Sequence, residues 1–243
     1  VGIEDGYGGY RSWGTIYFDF GFTRNEHNYR RELDMVNGVC TVSYDAKMGF
    51  TKKVHDDKVF FVSHPDKCAV IRIKRKGQKL NTEFKISSAH GTVKYENDKI
   101  VHSGELEDNA LKFCLVANVL TDGSSTATDK CIKISNATEL TIIFSADTDY
   151  MDTYPVYRTG ENANELFDRV NKTVKLATAK GFEVLLDAHK KDFTSLMNRV
   201  SFDLKGAENV SADTLLYKYS GNASYRKKAA ELLYQYGRYM TVS

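Results

Sequence analysis

Leu111-Lys-Phe-Cys-Leu-Val-Ala-Asn-Val-Leu120 is the stretch that decides the fold. Leu111, Phe113, Leu115, Ala117 and Val119 occupy alternate positions, so an extended chain puts all five on one face. The same period of two recurs on both sides of it. Ile16, Phe18 and Phe20 show it, as do Ala69, Ile71 and Ile73, then Phe84 and Ile86, Val93 and Tyr95, and Leu140, Ile142 and Phe144. The segments between them carry turn chemistry: Asn37-Gly38, Lys76-Gly77, Glu96-Asn97-Asp98 and Asp122-Gly123-Ser124. Short strands separated by turns, with no helices between them, predict an antiparallel sandwich for the first part of the chain.

The pattern changes after Asp152-Thr-Tyr-Pro155. From Asn162 it becomes helical, with Leu166, Phe167, Val170, Val174 and Ala177 on one stripe. Gly181 interrupts it. A second stripe runs through Phe182, Leu185, Leu186, His189, Phe193, Leu196, Met197 and Val200. Ser201-Phe-Asp-Leu204 reads as extended, and a polar stretch continues to about Ser220. Asn222 is a candidate N-cap for a last helix, on which Ala230, Leu233, Tyr234, Gly237 and Met240 share a face. The helix ends close to Ser243, and an aromatic-rich amphipathic helix needs a partner surface. The chain therefore reads as the front part of something larger.

The 243 residues are 42% hydrophobic and 27% charged, ordinary values for a globular chain able to bury a sizeable core. The net charge of +2 argues against nucleic acid or an anionic membrane as partner. Lys52-Lys53 and the run from Arg72 to Lys76 read as solvated faces. No apolar run approaches the roughly 18 residues of a membrane span, and the N-terminal residues do not form a signal peptide. Cys40, Cys68, Cys114 and Cys131 lack C-x-x-C spacing, which argues against a metal cage and for buried thiols, with a disulfide left open. Asn136, Asn171, Asn209 and Asn222 head N-x-S/T sequons.

No convergent catalytic group emerges, and no metal or cofactor is expected. The 32 acidic residues are spread through strands and turns, and the six histidines show no metal-binding spacing. His64-Pro65-Asp66 reads as a fixed turn whose Asp accepts backbone hydrogen bonds, and His189 as a packing histidine on an apolar stripe. Gly6-Tyr-Gly-Gly9 lacks the Lys-Ser/Thr of a phosphate loop. Trp13, Tyr10 and Tyr7, near Tyr17 and Phe18, are the candidates for a sugar-stacking platform; packing along an edge of the sandwich is the competing reading.

Six stretches in order resemble glycoside hydrolase family 95, the α-L-fucosidases and their α-L-galactosidase relatives. Tyr29-Arg-Arg-Glu-Leu-Asp34 resembles its Y-x-R-x-L-D-L strand. Phe61-Val-Ser-His-Pro-Asp66 with Val70-Ile-Arg-Ile73 is similar to F-x-S-x-P-D…V-I-R-L. Phe144-Ser-Ala-Asp-Thr-Asp-Tyr150 and Tyr157-Arg-Thr-Gly-Glu161 resemble its x-A-x-T-x-Y signature and a linker. The run from His189 to Leu204 is similar to H-x-x-D-Y-x-x-L-F-x-R-V-x-L-D-L, and Leu232 to Met240 to L-x-F-Q-Y-G-R-Y-L, with Tyr234 for Phe. Tyr10-Arg-Ser-Trp-Gly14 looks like a later strand of the family's sandwich, with Thr15 where Asp is usual, so the first strands are expected to be missing.

The resemblance implies a supersandwich of galactose-mutarotase-like type over 1–155, a helical linker over 156–220, and over 221–243 the first helix of an (α/α)6 barrel. It implies a secreted bacterial enzyme, extracellular or at the cell surface, that removes terminal fucose or L-galactose from glycans by inverting hydrolysis. Its catalytic carboxyl groups are expected beyond Ser243, and its partner is the rest of the same enzyme. Gly237 is then expected to allow close helix approach, and Arg238 to meet a buried or interfacial carboxylate. Two other readings remain: an autonomous carbohydrate-binding sandwich, and a non-enzymatic relative that assembles through its last helix.

Overall fold

The computed structural model describes residues 12–20, 23–49 and 51–243. Among the described residues, twelve strands precede three helices. The strands are β1 (Thr15–Asp19), β2 (Thr23–Asp34), β3 (Val39–Met48), β4 (Lys52–Ser63), β5 (Cys68–Lys76), β6 (Leu80–Ser87), β7 (Thr92–Glu96), β8 (Lys99–Glu105), β9 (Lys112–Thr121), β10 (Ser124–Ala127), β11 (Ile132–Ala137) and β12 (Glu139–Thr148). The helices are α1 (Ala163–Met197), α2 (Ala212–Lys218) and α3 (Ala223–Val242).

All strand pairs are antiparallel, as the turn spacing requires. They form a four-stranded sheet, β1-β6-β11-β10, and an eight-stranded sheet, β2-β3-β4-β5-β12-β9-β8-β7. Between the sheets lies the largest core. Leu80, Phe84, Ile132 and Ile134 of the small sheet meet Ile73, Ile100, Leu115, Ala117, Leu140 and Ile142 of the large one.

The expected alternation in β9 is there, but it is half of the pattern. Cys114 and Val116 are buried as well, on the opposite face. That face is covered by α1, whose Leu166, Val170 and Val174 pack on Val101, Cys114 and Val116. Further along, Ala177, Phe182 and Leu185 pack on Val39, Phe61, Val70 and Ile143. The middle layer is therefore buried on both sides.

α1 starts with a capping box: Asn162 accepts from the Asn164 and Glu165 amides while Glu165 accepts from the Asn162 amide. Its steps 166, 170, 174 and 177 hold one face, and the next regular step falls on Gly181. Gly181 has φ +75° and ψ 165°, which breaks the helix and restarts it with Phe182, Leu185 and His189 turned to the sheet again. The interruption read from the sequence thus re-aims the second stripe.

Two expectations change. Arg75 is fully buried, not solvated, and pairs with Asp56; Arg72 lies over the Phe182 ring, 3.3 Å from its centroid, and bonds Glu183 at 2.5 Å. The polar stretch before Ser220 contains α2, anchored by buried Leu215. On α3 the face read from the sequence as needing a partner surface is turned outward, with Leu233 72% and Met240 59% exposed. The α3 N-cap is Asn222, as expected, accepting from the Ser224 amide at 2.8 Å.

Candidate functional site

Of the three aromatic candidates, Tyr7 and Tyr10 lie outside the described residues. Trp13 precedes β1 and is half-buried against the inter-sheet core. Its ring meets Phe113 edge-on, with centroids 5.4 Å apart. Beside it is a cavity of about 30 Å³, lined by Ser12, His90, Leu106, Leu111, Phe113 and Thr148 as well as Trp13. That is room for about one water.

A second aromatic group adjoins this end of the sandwich and carried no alternation to reveal it. After β12 the chain turns back on itself, bridging Tyr150 to Arg158. The turn stands on Asp149, whose buried carboxylate accepts from the Lys112 amide at 3.0 Å and from Lys112 Nζ at 3.2 Å, with Arg158 Nε at 3.7 Å. From this base Tyr150, Met151, Tyr154, Val156 and Tyr157 are exposed. The Tyr150 and Tyr157 rings are parallel within 5°, and Tyr154 meets Tyr157 edge-on.

The acidic and basic groups with the deepest burial are structural. Asp56 and Arg75 face each other across β4 and β5 and share hydrogen bonds of 2.6 and 2.7 Å. Tyr44 donates to the same carboxylate at 2.8 Å. Burial alone would raise the Asp56 pKa, but the Arg75 and Tyr44 hydrogen bonds outweigh it and hold it below the usual range. Lys58 lies 4.0 Å from the Phe20 centroid, its pKa lowered by burial.

His189 bonds the Gly38 carbonyl at 3.0 Å and stacks on Phe61, the packing role expected of it. Gly38 has φ +66°, and a Cβ there would meet Phe193 at 2.9 Å, so this turn requires glycine. In the His64-Pro65-Asp66 turn, Asp66 accepts from Ser63 Oγ at 2.7 Å and Lys180 Nζ at 2.5 Å, side chains rather than the backbone donors expected. That ties the β4–β5 corner to α1. Buried His102 bonds the His90 carbonyl at 2.8 Å, and its Nδ1 has no hydrogen-bond partner among the described residues. His55 sits between Asp45 and Asp57, the Asp45 hydrogen bond raising its pKa against a lesser burial effect.

The four cysteines are free. Burial pushes Cys68 up to about 12 and Cys114 to about 11, so both are thiols at neutral pH. Among the described residues no His, Cys, Asp or Glu group is placed to hold a metal ion. Of the sequons, Asn171 is buried in α1 and Asn222 caps α3, while Asn136 and Asn209 are exposed.

The helical end forms a second candidate surface. Arg238 donates to the Met197 carbonyl at 2.8 Å, Leu196 at 3.4 Å and Val200 at 3.0 Å. It thus caps the C-terminus of α1 and meets carbonyls, not the carboxylate expected. Glu231 accepts from the Leu204 amide at 2.6 Å and pairs with Lys228 at 2.7 Å, fixing the connecting loop to α3. A Cβ on Gly237 would meet nothing within 4 Å, so this glycine serves no close approach among the described residues.

With this geometry in view, comparison with known proteins places the chain. Residues 2–153, the sandwich, match the family model for the glycosyl hydrolase family 65 N-terminal domain. The chain belongs to this family. Residues 181–243 match a second model, the glycosyl hydrolase family 95 catalytic domain. The chain is 23% identical to Alpha-L-fucosidase 2 from Arabidopsis thaliana over 96% of its own length, and spans 31% of that relative. A solved structure assigned as a kojibiose phosphorylase from the human microbiome matches the fold with a TM-score of 0.57 and 12% identity, over 71% of this chain and 25% of that one.

These matches support the resemblance seen in the sequence and divide it. The family 65 N-terminal domain accounts for the two sheets, and the family 95 match starts at Gly181, where α1 breaks. The part of the family 65 N-terminal domain chain that carries a catalytic-domain match is thus the second half of α1, α2 and α3. No helix among the described residues is long and apolar enough to cross a membrane.

Proposed function

We propose that this chain is the N-terminal, non-catalytic part of a secreted bacterial glycoside hydrolase of the α-L-fucosidase type. The sandwich of residues 1–155 and the linker of 156–220 support a catalytic barrel that begins with 221–243. One observation carries this reading: α3 docks on its own chain through Glu231 and Arg238 and presents Leu233, Tyr236 and Met240 outward. An exposed apolar helix face of this kind is made to be covered. The family 95 catalytic match over this helix and the 31% span of the fucosidase relative support a barrel as its cover.

In this proposal the catalytic carboxyl groups lie outside these 243 residues. A general acid and a carboxylate-assisted water on opposite faces of the sugar perform inverting hydrolysis of terminal fucose or L-galactose. Within this chain the buried carboxylates serve structure: Asp56 holds Arg75, Asp66 holds Lys180 and Asp149 holds the turn after β12.

The test is an assay of the purified 243-residue chain on nitrophenyl α-L-fucoside. No turnover is expected, and turnover should return when the C-terminal remainder of the enzyme is supplied. Fucose-specific hydrolysis by the chain alone overturns the proposal.

A further inference from the structure

We propose that the turn carrying Tyr150, Tyr154 and Tyr157 is a saccharide-stacking platform. The proposal rests on the reading above, since it takes the ligand class from a glycan-cleaving enzyme. Its occupant is a short oligosaccharide whose rings lie on the tyrosine faces.

The first argument is exposure. Tyr154 is 82% and Tyr150 53% exposed, with Met151 and Val156 beside them. Large apolar side chains gathered on one projecting turn mark a contact surface. The chemistry of the rings says which kind. A tyrosine offers a flat π-face to the apolar C–H face of a pyranose and a hydroxyl to its polar rim, so it suits a ligand that is apolar on its faces and polar at its edges. Exposed Asp152 and Thr153, between Tyr150 and Tyr154, add acceptors and a donor for sugar hydroxyls.

The second argument is preorganisation. The turn is tied down at its base, not loose. Asp149 is 1% exposed and holds Lys112 and Arg158. The Thr159 amide bonds the Asp149 carbonyl at 2.8 Å, and Arg158 reaches the Asn109 carbonyl at 3.1 Å. Within the turn the Tyr157 amide bonds the Thr153 carbonyl at 2.9 Å. A surface held this way loses little freedom when a ligand arrives.

The third argument is backbone strain. Tyr157 has φ +54°, a left-handed conformation that glycine or asparagine adopts more readily than a tyrosine. Strain of that kind persists where the side chain is needed. Here it brings the Tyr157 ring parallel to Tyr150, 6.5 Å between centroids, and edge-on to Tyr154 at 6.3 Å. Trp13 differs: its ring packs on Phe113 and the core.

Saturation-transfer NMR on the intact 243-residue chain with 2′-fucosyllactose as probe tests this. Transfer to the sugar C–H protons is expected, with the apparent Kd raised about two- to tenfold in Tyr154→Ala and Tyr150→Ala, the scale of one lost aromatic contact. Tyr154→Phe, which keeps the ring, should retain most of the transfer, and Tyr217→Ala, an exposed tyrosine on α2, should change nothing. Circular dichroism confirms that each variant is folded. An apparent Kd unchanged in both alanine variants overturns the proposal, and a raised Kd in Trp13→Phe alone overturns it in favour of Trp13. Absence of transfer at millimolar sugar also overturns it, while leaving the glycosidase reading to its own hydrolysis assay.

Discussion

α1 and α3 are both amphipathic, yet they dock with opposite faces. α1 turns Leu166, Val170, Val174, Ala177 and Leu185 to the sheet. α3 turns Glu231, Gln235 and Arg238 inward and leaves Leu233 and Met240 outward. The difference separates two ways of holding a helix. Apolar burial binds α1 to the sandwich in proportion to the area removed from water. Directional hydrogen bonds to free carbonyls and amides hold α3, helped by ring contacts of Tyr239 with Phe193 and of Tyr234 with Phe202, and they leave Leu233 and Met240 available for a second surface.

The contrast is broken or sharpened by substitution, beginning with the sandwich side. Arg75→Ala strands the buried Asp56 carboxylate and should destabilise the chain by about 3–5 kcal/mol in urea unfolding. Replacing both partners together, Asp56→Leu with Arg75→Met, should recover most of that loss. Leu185→Ala, at the sheet-facing side of α1, should lower stability by about 2–5 kcal/mol.

On the other side, Arg238→Ala should cost about 1–2 kcal/mol. It should act locally: amide exchange of α3 and the last turn of α1 accelerates while that of the sheets is unchanged. Leu233→Ala should shift stability by no more than about 0.5 kcal/mol. If Leu233→Ala and Leu185→Ala cost the same, the two helices are held alike and the comparison fails.

The smallest effect is a pH effect at the β9–β10 corner. The Thr138 hydroxyl, and to a lesser degree the Glu139 and Thr138 amides, lower Asp122 to about 2 from an ordinary 3.8. A depressed folded pKa gives stability that is present above about pH 4 and lost as pH falls toward 2. Asp122→Asn should flatten the fall in Tm between pH 4 and pH 2. The group is exposed, so the change is small.

The strands were legible where one face is apolar and the other is not, as in β6, whose burial alternates along its whole length. β9 showed one face only, because the cover on its second face comes from a helix more than forty residues later in sequence. β2 lacks an alternating apolar face. Its register shifts twice, with Asn25 and Asn28 in left-handed conformations nearby. The Asp56–Arg75 pair was hidden because charged letters read as surface, and only the β4–β5 register sets them opposite. On α3 the period of the helix was legible, but the docking face was not: it depends on the carbonyls at the end of α1, which carry no sequence signature. The tyrosine turn was missed for a related reason, since its rings gather through the bridge at Tyr150 and Arg158 and not through any period.

A residue inserted into an unbroken helix swings everything after it by about 100°, and each downstream side chain leaves its partner. At Gly181 the chain has already left helical dihedrals. An added or deleted residue there should be absorbed in the local connection, with Leu185 and His189 keeping their places on the sheet. An insertion or deletion at Gly181 should therefore cost the helix less than one at any fully helical position. That place is also where the family 95 match begins.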